Sequence, residues 1–178
     1  MRIMRFLFVW LAAVSLTGFP SPPRFAQAAV NSPRPRSDSH QVLAIIVNRS
    51  NPVENLSLAE LRKVFMGERS RWPSGHRVVV TMMESGNSER NAVLREIYNM
   101  NENGYRDYFL RGTYTGEIPI APKILSSPII LRKFVFNTPG AIGYLRASDV
   151  DDSVRVVSID GRLPDEVDYK LRIEEPAK

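Results

Sequence analysis

From residue 42 onward the apolar positions fall into short blocks whose period switches between that of a strand and that of a helix. Residues 42–47 (VLAIIV) form a continuous apolar run, the mark of a strand covered on both faces. After a turn-rich loop containing Asn51-Pro52, Ser57-Leu58-Ala59-Glu60 has the form of a capping box, with Leu56 and Leu61 at the staple positions on either side. Leu58, Leu61, Val64 and Phe65 then share one helical face, and Gly67 stands where a helix-ending glycine is wanted. A turn at residues 72–75 precedes a strand at 77–82, and a loop at 83–88 leads into a helix over 89–100. The pattern continues with a short helix over 105–111 and a proline-interrupted edge strand at 118–124. A helix with Ser127 as N-cap and Pro128 at its first position follows, then two strands at 141–145 and 154–159.

Strands alternating with helices predict an α/β fold: a mixed, mostly parallel sheet flanked by helices. The residues after Asp160 are polar and charged, and residues 161–178 are expected to be a loosely attached charged C-terminal tail. The predicted folded domain therefore spans residues 42–160.

The N-terminal 30 residues follow a different pattern. Arg2 and Arg5 precede an apolar run at 6–16, shorter than the roughly 20 residues needed to span a bilayer. Gly18, Pro20, Pro22 and Pro23 come next, and Ala26-Gln27-Ala28 offers an A-x-A cleavage site. Residues 1–28 are thus expected to be a signal peptide cleaved before Ala29, and the product to be periplasmic or secreted. Residues 29–41, rich in proline, serine and arginine, are expected to be a disordered arm.

This organisation changes the meaning of the composition. The chain has 178 residues and a formal charge of +5. The leader holds Arg2, Arg5 and Arg24 and no acid, so 21 basic and 19 acidic residues remain and the net charge falls to +2. Arg34 and Arg36 lie in the arm, which leaves the folded part near neutral and removes the main support for a nucleic-acid partner. No cysteine is present, which excludes disulfides, thiolate metal sites and a cysteine nucleophile.

Candidate chemistry is sparse. His40 falls in the arm and His76 in a turn, neither beside a nucleophile, so the chain is not expected to be an enzyme. Asp149, Asp151 and Asp152 lack the ligand alternation of a calcium loop, and neither metal nor cofactor is expected. The segment 84–91 (ESGNSERN) stands apart, running from a strand end into a helix. Helix starts carry unpaired N–H groups and positive potential, glycine permits close backbone approach, and arginine adds charge-assisted hydrogen bonds. Ser85, Gly86, Asn87, Ser88 and Arg90 are therefore candidate ligands for a small oxyanion. Equally, Ser85, Asn87 or Ser88 can serve as a helix cap while Arg90 pairs with Glu84 or Glu89.

Several of these segments together resemble a known family. Val47, Asn48, Asn51, Pro52, Leu56, Leu58, Leu61, Phe65, Gly67 and Trp72, followed by the glycine- and serine-containing loop and by residues 138–144 (TPGAIGY), look like the phosphate-type substrate-binding proteins of ABC importers. Gly86 and Arg90 fall at the expected places in that family's anion loop. Asn87 and Ser88 replace its Ser-Gly, and Glu89 stands where threonine is usual. The resemblance implies a periplasmic-binding-protein type 2-like fold. Complete members have two lobes, and this chain holds material for about one. It further implies binding of phosphate or a similar small oxyanion, with an ABC permease as partner. The alternative is an interaction module that docks a membrane or envelope protein, or a second copy of itself, through the former cleft face.

Overall fold

The computed structural model describes residues 41–174. Every described residue falls in one compact unit. The expected signal peptide, and all of the expected arm except Gln41, lie outside the described residues.

Six strands form one sheet in the order β2-β6-β1-β5-β3-β4. They are β1 (Leu43–Asn48), β2 (Asn55–Leu56), β3 (Val79–Met83), β4 (Lys123–Leu125), β5 (Ala141–Arg146) and β6 (Val154–Ile159). Three of the five pairings are parallel (β2 with β6, β3 with β4, β3 with β5), so the mixed, mostly parallel sheet is as expected. The central β1 runs antiparallel to both neighbours, β5 and β6. All six of its residues are buried, which explains the uninterrupted apolar run.

The helices are α1 (Leu58–Phe65), α2 (Ser88–Val93), α3 (Glu102–Thr115) and α4 (Pro128–Asn137). The capping box of α1 is present in full: Glu60 N–H donates to Ser57 Oγ at 3.2 Å and Ser57 N–H to Glu60 Oε2 at 2.9 Å. Gly67 follows its end in the left-handed region at φ 80°. Ser127 caps α4 by accepting from Ile130 N–H at 3.3 Å. The helix anticipated over 89–100 instead divides, α2 passing into a π-helical stretch at Leu94–Tyr98 that stops at Asn99 in the left-handed conformation. The third helix is longer than its apolar content suggests. Asn101 caps it, accepting from Gly104 N–H at 2.8 Å, and Tyr105, Tyr108, Phe109 and Gly112 supply its packed stripe.

Two contacts fix these layers. Asn48, buried at the end of β1, donates to the carbonyls of Val135 at 2.9 Å and Phe136, tying β1 to the end of α4. Elsewhere an aromatic cluster joins α1, the π-helical stretch and α3. Tyr98 meets Phe65, Tyr105 and Phe109 edge-on at 5.9, 5.1 and 6.0 Å between ring centroids. The favourable edge-to-face geometry adds to the burial of four large rings.

The expectation of a loose tail after Asp160 is corrected by the structure. Residues 162–173 fold back on the sheet: Tyr169, Leu171 and Ile173 are buried. Leu43 N–H donates to the Leu171 carbonyl at 3.0 Å and Ile173 N–H to that of Gln41 at 2.6 Å. The segment thereby pairs with the start of β1, where Val42 bridges Arg172 in antiparallel fashion. The physical reason is that only alternate residues needed to be apolar, since the others face solvent.

Candidate functional site

The glycine- and serine-containing loop lies between β3 and α2. The Glu84 N–H donates to the Leu125 carbonyl at 3.1 Å, which carries the parallel β3–β4 pairing into the loop. Gly86 then turns the chain at φ 94°, a backbone region closed to most other residues, and no atom lies within 4 Å of where a side chain would begin. The opening amides of α2, like those of any helix, have no partner within it.

The five candidate residues divide into two groups. Ser85 and Arg90 converge on a single carboxylate, that of Glu102 at the start of α3. Ser85 Oγ donates to Glu102 Oε1 at 3.0 Å, and Arg90 donates through Nε at 2.9 Å and Nη2 at 2.7 Å. Arg90 is only 3% exposed; its Nη1 donates to the Met83 carbonyl at 2.6 Å and its guanidinium lies 4.8 Å from the Tyr105 ring centroid. Ser88 belongs to a second set, accepting from Arg146 Nη2 at 2.8 Å, while Arg146 also pairs with Glu89. Asn87 is the N-cap residue of α2 but makes no side-chain capping bond; its amide donates to the Glu84 carbonyl at 2.8 Å.

The capping reading needs correction on the partner of Arg90. Arg90 pairs with neither Glu84 nor Glu89, because its buried guanidinium is aimed by the Met83 carbonyl and the Tyr105 ring toward α3. Nor does a side-chain cap of α2 form. Glu102, Tyr105 and Arg146 complete the site and were missed. Asn101-Glu102 has the composition of a helix start, but nothing local in the sequence joins it to a residue twelve positions earlier.

The electrostatics follow from these pairs. Hydrogen bonding to Arg90 holds the Glu102 carboxyl below its ordinary value of 4.5, against a smaller opposing effect of burial. For Glu89, burial pushes upward, yet hydrogen bonds from Arg146, the backbone and Ser88, with the charge of Arg146, together outweigh it and the net shift is again downward. Burial pushes the Tyr105 phenol up to about 12, so the ring that faces Arg90 stays neutral. Carboxyls depressed on folding contribute stability above the ordinary value and lose it as the pH falls through the depressed one. Urea unfolding followed from neutrality into acid should thus show stability falling only below about 4.5, and Glu102→Gln should flatten that fall.

Chemically, a serine hydroxyl, a bidentate guanidinium and a helix start make an oxyanion set. In this structure a carboxylate of the protein itself occupies the serine and arginine donors. Among the described residues no group of three or more acidic, histidine or cysteine side chains is placed to hold a metal ion. Asp151 instead accepts from Ser153 and pairs with Arg132 at 3.2 Å.

Comparison with known proteins gives a consistent set of relatives, although no protein-family model matches the chain. Over 131 residues it is 31% identical to the phosphate-binding protein PstS of Bacillus subtilis, covering 71% of this chain and 40% of that protein. Among solved structures, it is similar to a phosphate ABC transporter substrate-binding protein from Clostridium perfringens solved with bound phosphate, at 26% identity and a TM-score of 0.57. That match covers 70% of this chain and 47% of the other. An ABC-type phosphate transport receptor from Vibrio cholerae shares the fold at 20% identity and a TM-score of 0.54, over 70% and 48% of the two chains. The chain thus spans 40% of its curated relative and about half of each solved one. It is a partial relative of the phosphate-type substrate-binding proteins of ABC transporters, with their α/β fold built around a single sheet.

Proposed function

We infer that this chain is an exported, single-lobe oxyanion-binding protein of the phosphate type, taking phosphate at the loop formed by Ser85, Gly86, Asn87, Ser88 and Arg90. The observation that carries the reading is the convergence of Ser85 and Arg90 on one carboxylate, in a chain similar to phosphate-binding proteins. A carboxylate and a phosphate oxygen make the same demands on these donors. Phosphate would take the position of the Glu102 carboxylate at Ser85 Oγ and Arg90, with the opening amides of α2 on its other side. The role is binding, without chemistry on the ligand. Its partner would be an ABC permease or another envelope protein.

The affinity should be weak, for two physical reasons. One lobe leaves half the anion in water, where charge–charge attraction is small. The Glu102 carboxylate must also be displaced. A dissociation constant of roughly 1 mM, equivalent to about −4 kcal/mol, is expected. Calorimetric titration of inorganic phosphate into the full chain measures it. An absence of heat at millimolar phosphate, with the fold intact by circular dichroism, would falsify the ligand assignment.

A further inference from the structure

A second group of cations lies at the opposite end of β3. Residues 70–78 form a small hairpin in which Trp72 N–H donates to the His76 carbonyl and Val78 N–H to that of Ser70, both at 2.9 Å. These two bonds flank Arg71 and Arg77, which bridge in antiparallel fashion. The two arginines therefore form the non-hydrogen-bonded kind of cross-strand pair, in which opposing side chains approach most closely. Like charges placed directly opposite in this way destabilise a strand pair.

Arg69 joins them in lining one cavity of about 80 Å³, together with Val64, Val80 and Ile120. Among the described residues no carboxylate forms an ion pair with any of the three arginines. Two of them are held by protein contacts: Arg71 Nη1 donates to the Gly75 carbonyl at 2.9 Å, and the Arg69 guanidinium lies 5.9 Å from the Trp72 ring centroid. The Arg77 side chain makes no hydrogen bond, ion pair or ring contact among the described residues. Three arginines thus line one cavity without an ion-pair partner among the described residues, the Glu60 carboxylate feeling the Arg69 charge from beyond ion-pair distance.

We propose that this cavity is a second anion site, distinct from the Ser85–Arg90 loop, and that it binds a phosphate monoester group. Guanidinium forks match phosphate oxygens bidentately, and three of them neutralise a dianion. The volume corresponds to two or three waters at roughly 30 Å³ each, which accommodates a phosphate group. The valine and isoleucine lining accepts the hydrocarbon beside the ester oxygen. Bound phosphate also removes the repulsion between Arg71 and Arg77, so binding and hairpin stability are coupled. The group can belong to a soluble ester or to a lipid headgroup, since both present the same chemistry. Ser85 lies eight positions after Arg77, up to about 26 Å of extended chain, so the two sites report independently.

The test is a titration of glycerol 3-phosphate into ¹⁵N-labelled full chain, read at backbone amides. Saturating shifts are expected across residues 69–78, with affinity at least tenfold weaker in the Arg71→Gln/Arg77→Gln double variant. Shifts at residues 85–90 should be the same in both proteins. Silence there alone counts against the first site and leaves the second standing. A response at 69–78 that the double variant retains overturns the proposal, as does an absence of response in both this titration and the lipid arm. That arm is co-sedimentation with vesicles containing phosphatidic acid: binding lost in the double variant, without a response to the soluble ester, assigns the group to a lipid. The glutamine pair keeps the strand pairing and removes the repulsion, so the double variant should melt no lower than the wild type at low salt. A lower melting temperature would show the arginines to be structural and overturn the assignment.

Discussion

Replacing Glu102 with alanine is expected to destabilise the protein by about 2 kcal/mol in anion-free buffer and to tighten phosphate binding about tenfold. Both effects have one origin. Arg90 is 3% exposed and charged, and Glu102 supplies the negative charge that satisfies two of its donor groups. Without that carboxylate the guanidinium is left in a low-dielectric site with only the Met83 carbonyl and the Tyr105 ring as partners. The half-exposed position of Glu102 keeps the cost below that of breaking a fully buried pair. An added oxyanion then fills the vacated donors, at Arg90 and at Ser85 Oγ. At ten times its dissociation constant, phosphate should restore about 1.4 kcal/mol. Glu102→Gln should fall between the two proteins, since it keeps an acceptor for Arg90 and loses the charge. Thermal melts of the three proteins across a phosphate series measure this. Equal stabilisation of wild type and Glu102→Ala by phosphate would sink the idea that Glu102 competes for the site.

The second large effect lies in the C-terminal segment. Leu171→Ala should cost about 3 kcal/mol and lower the melting temperature by roughly 10 °C. Leu171 is fully buried, and its own carbonyl accepts from Leu43 N–H at the start of the central strand. Truncation removes transfer energy and leaves a cavity between the segment and the start of β1. Val167, four residues earlier and 79% exposed, provides the control: Val167→Ala should change stability by less than about 0.5 kcal/mol. Two variants that melt alike would mean that residues 162–173 are attached as loosely as their composition suggests.

That segment shows where sequence reading failed although a signal was present. Tyr169, Leu171 and Ile173 alternate with Lys170, Arg172 and Glu174, the period of a half-buried strand. High overall charge hid the alternation, because one face of such a strand needs no apolar residues. The capping box at Ser57–Glu60, the Ser127-Pro128 helix start and the buried β1 run were legible because each is a local pattern with a local physical cause. The antiparallel neighbours of β1 were not legible. A strand covered on both faces reads the same whichever way its neighbours run.

For the candidate loop, local chemistry identified the residues and misjudged their partners. Ser85, Gly86, Asn87, Ser88 and Arg90 were singled out because glycine, hydroxyls and an arginine at a helix start are suited to an anion. The same residue types suit a cap, and adjacent Glu84 and Glu89 offered near partners for Arg90. The partner that Arg90 takes sits at the head of α3. It is brought there by edge-on packing of Tyr98 against Phe65, Tyr105 and Phe109, a contact among three separate parts of the chain. The Arg71–Arg77 opposition likewise depends on the register of a hairpin, which the turn at 72–75 suggested only in outline.

By itself, then, the sequence determined the order of the main strands and helices, the starts of α1 and α4, the near-neutral charge of the folded part and the resemblance to phosphate-type binding proteins. These depend on neighbours within a few residues, where backbone geometry sets which side chains can meet. Tertiary structure alone decided that Glu102 occupies the donors of the candidate loop and that Arg146 engages Ser88 and Glu89. It also decided that three arginines share one cavity and that the charged C-terminal segment pairs with β1. Ion pairs and strand edges are chosen by which groups packing brings within reach, and that choice is made by the whole core at once.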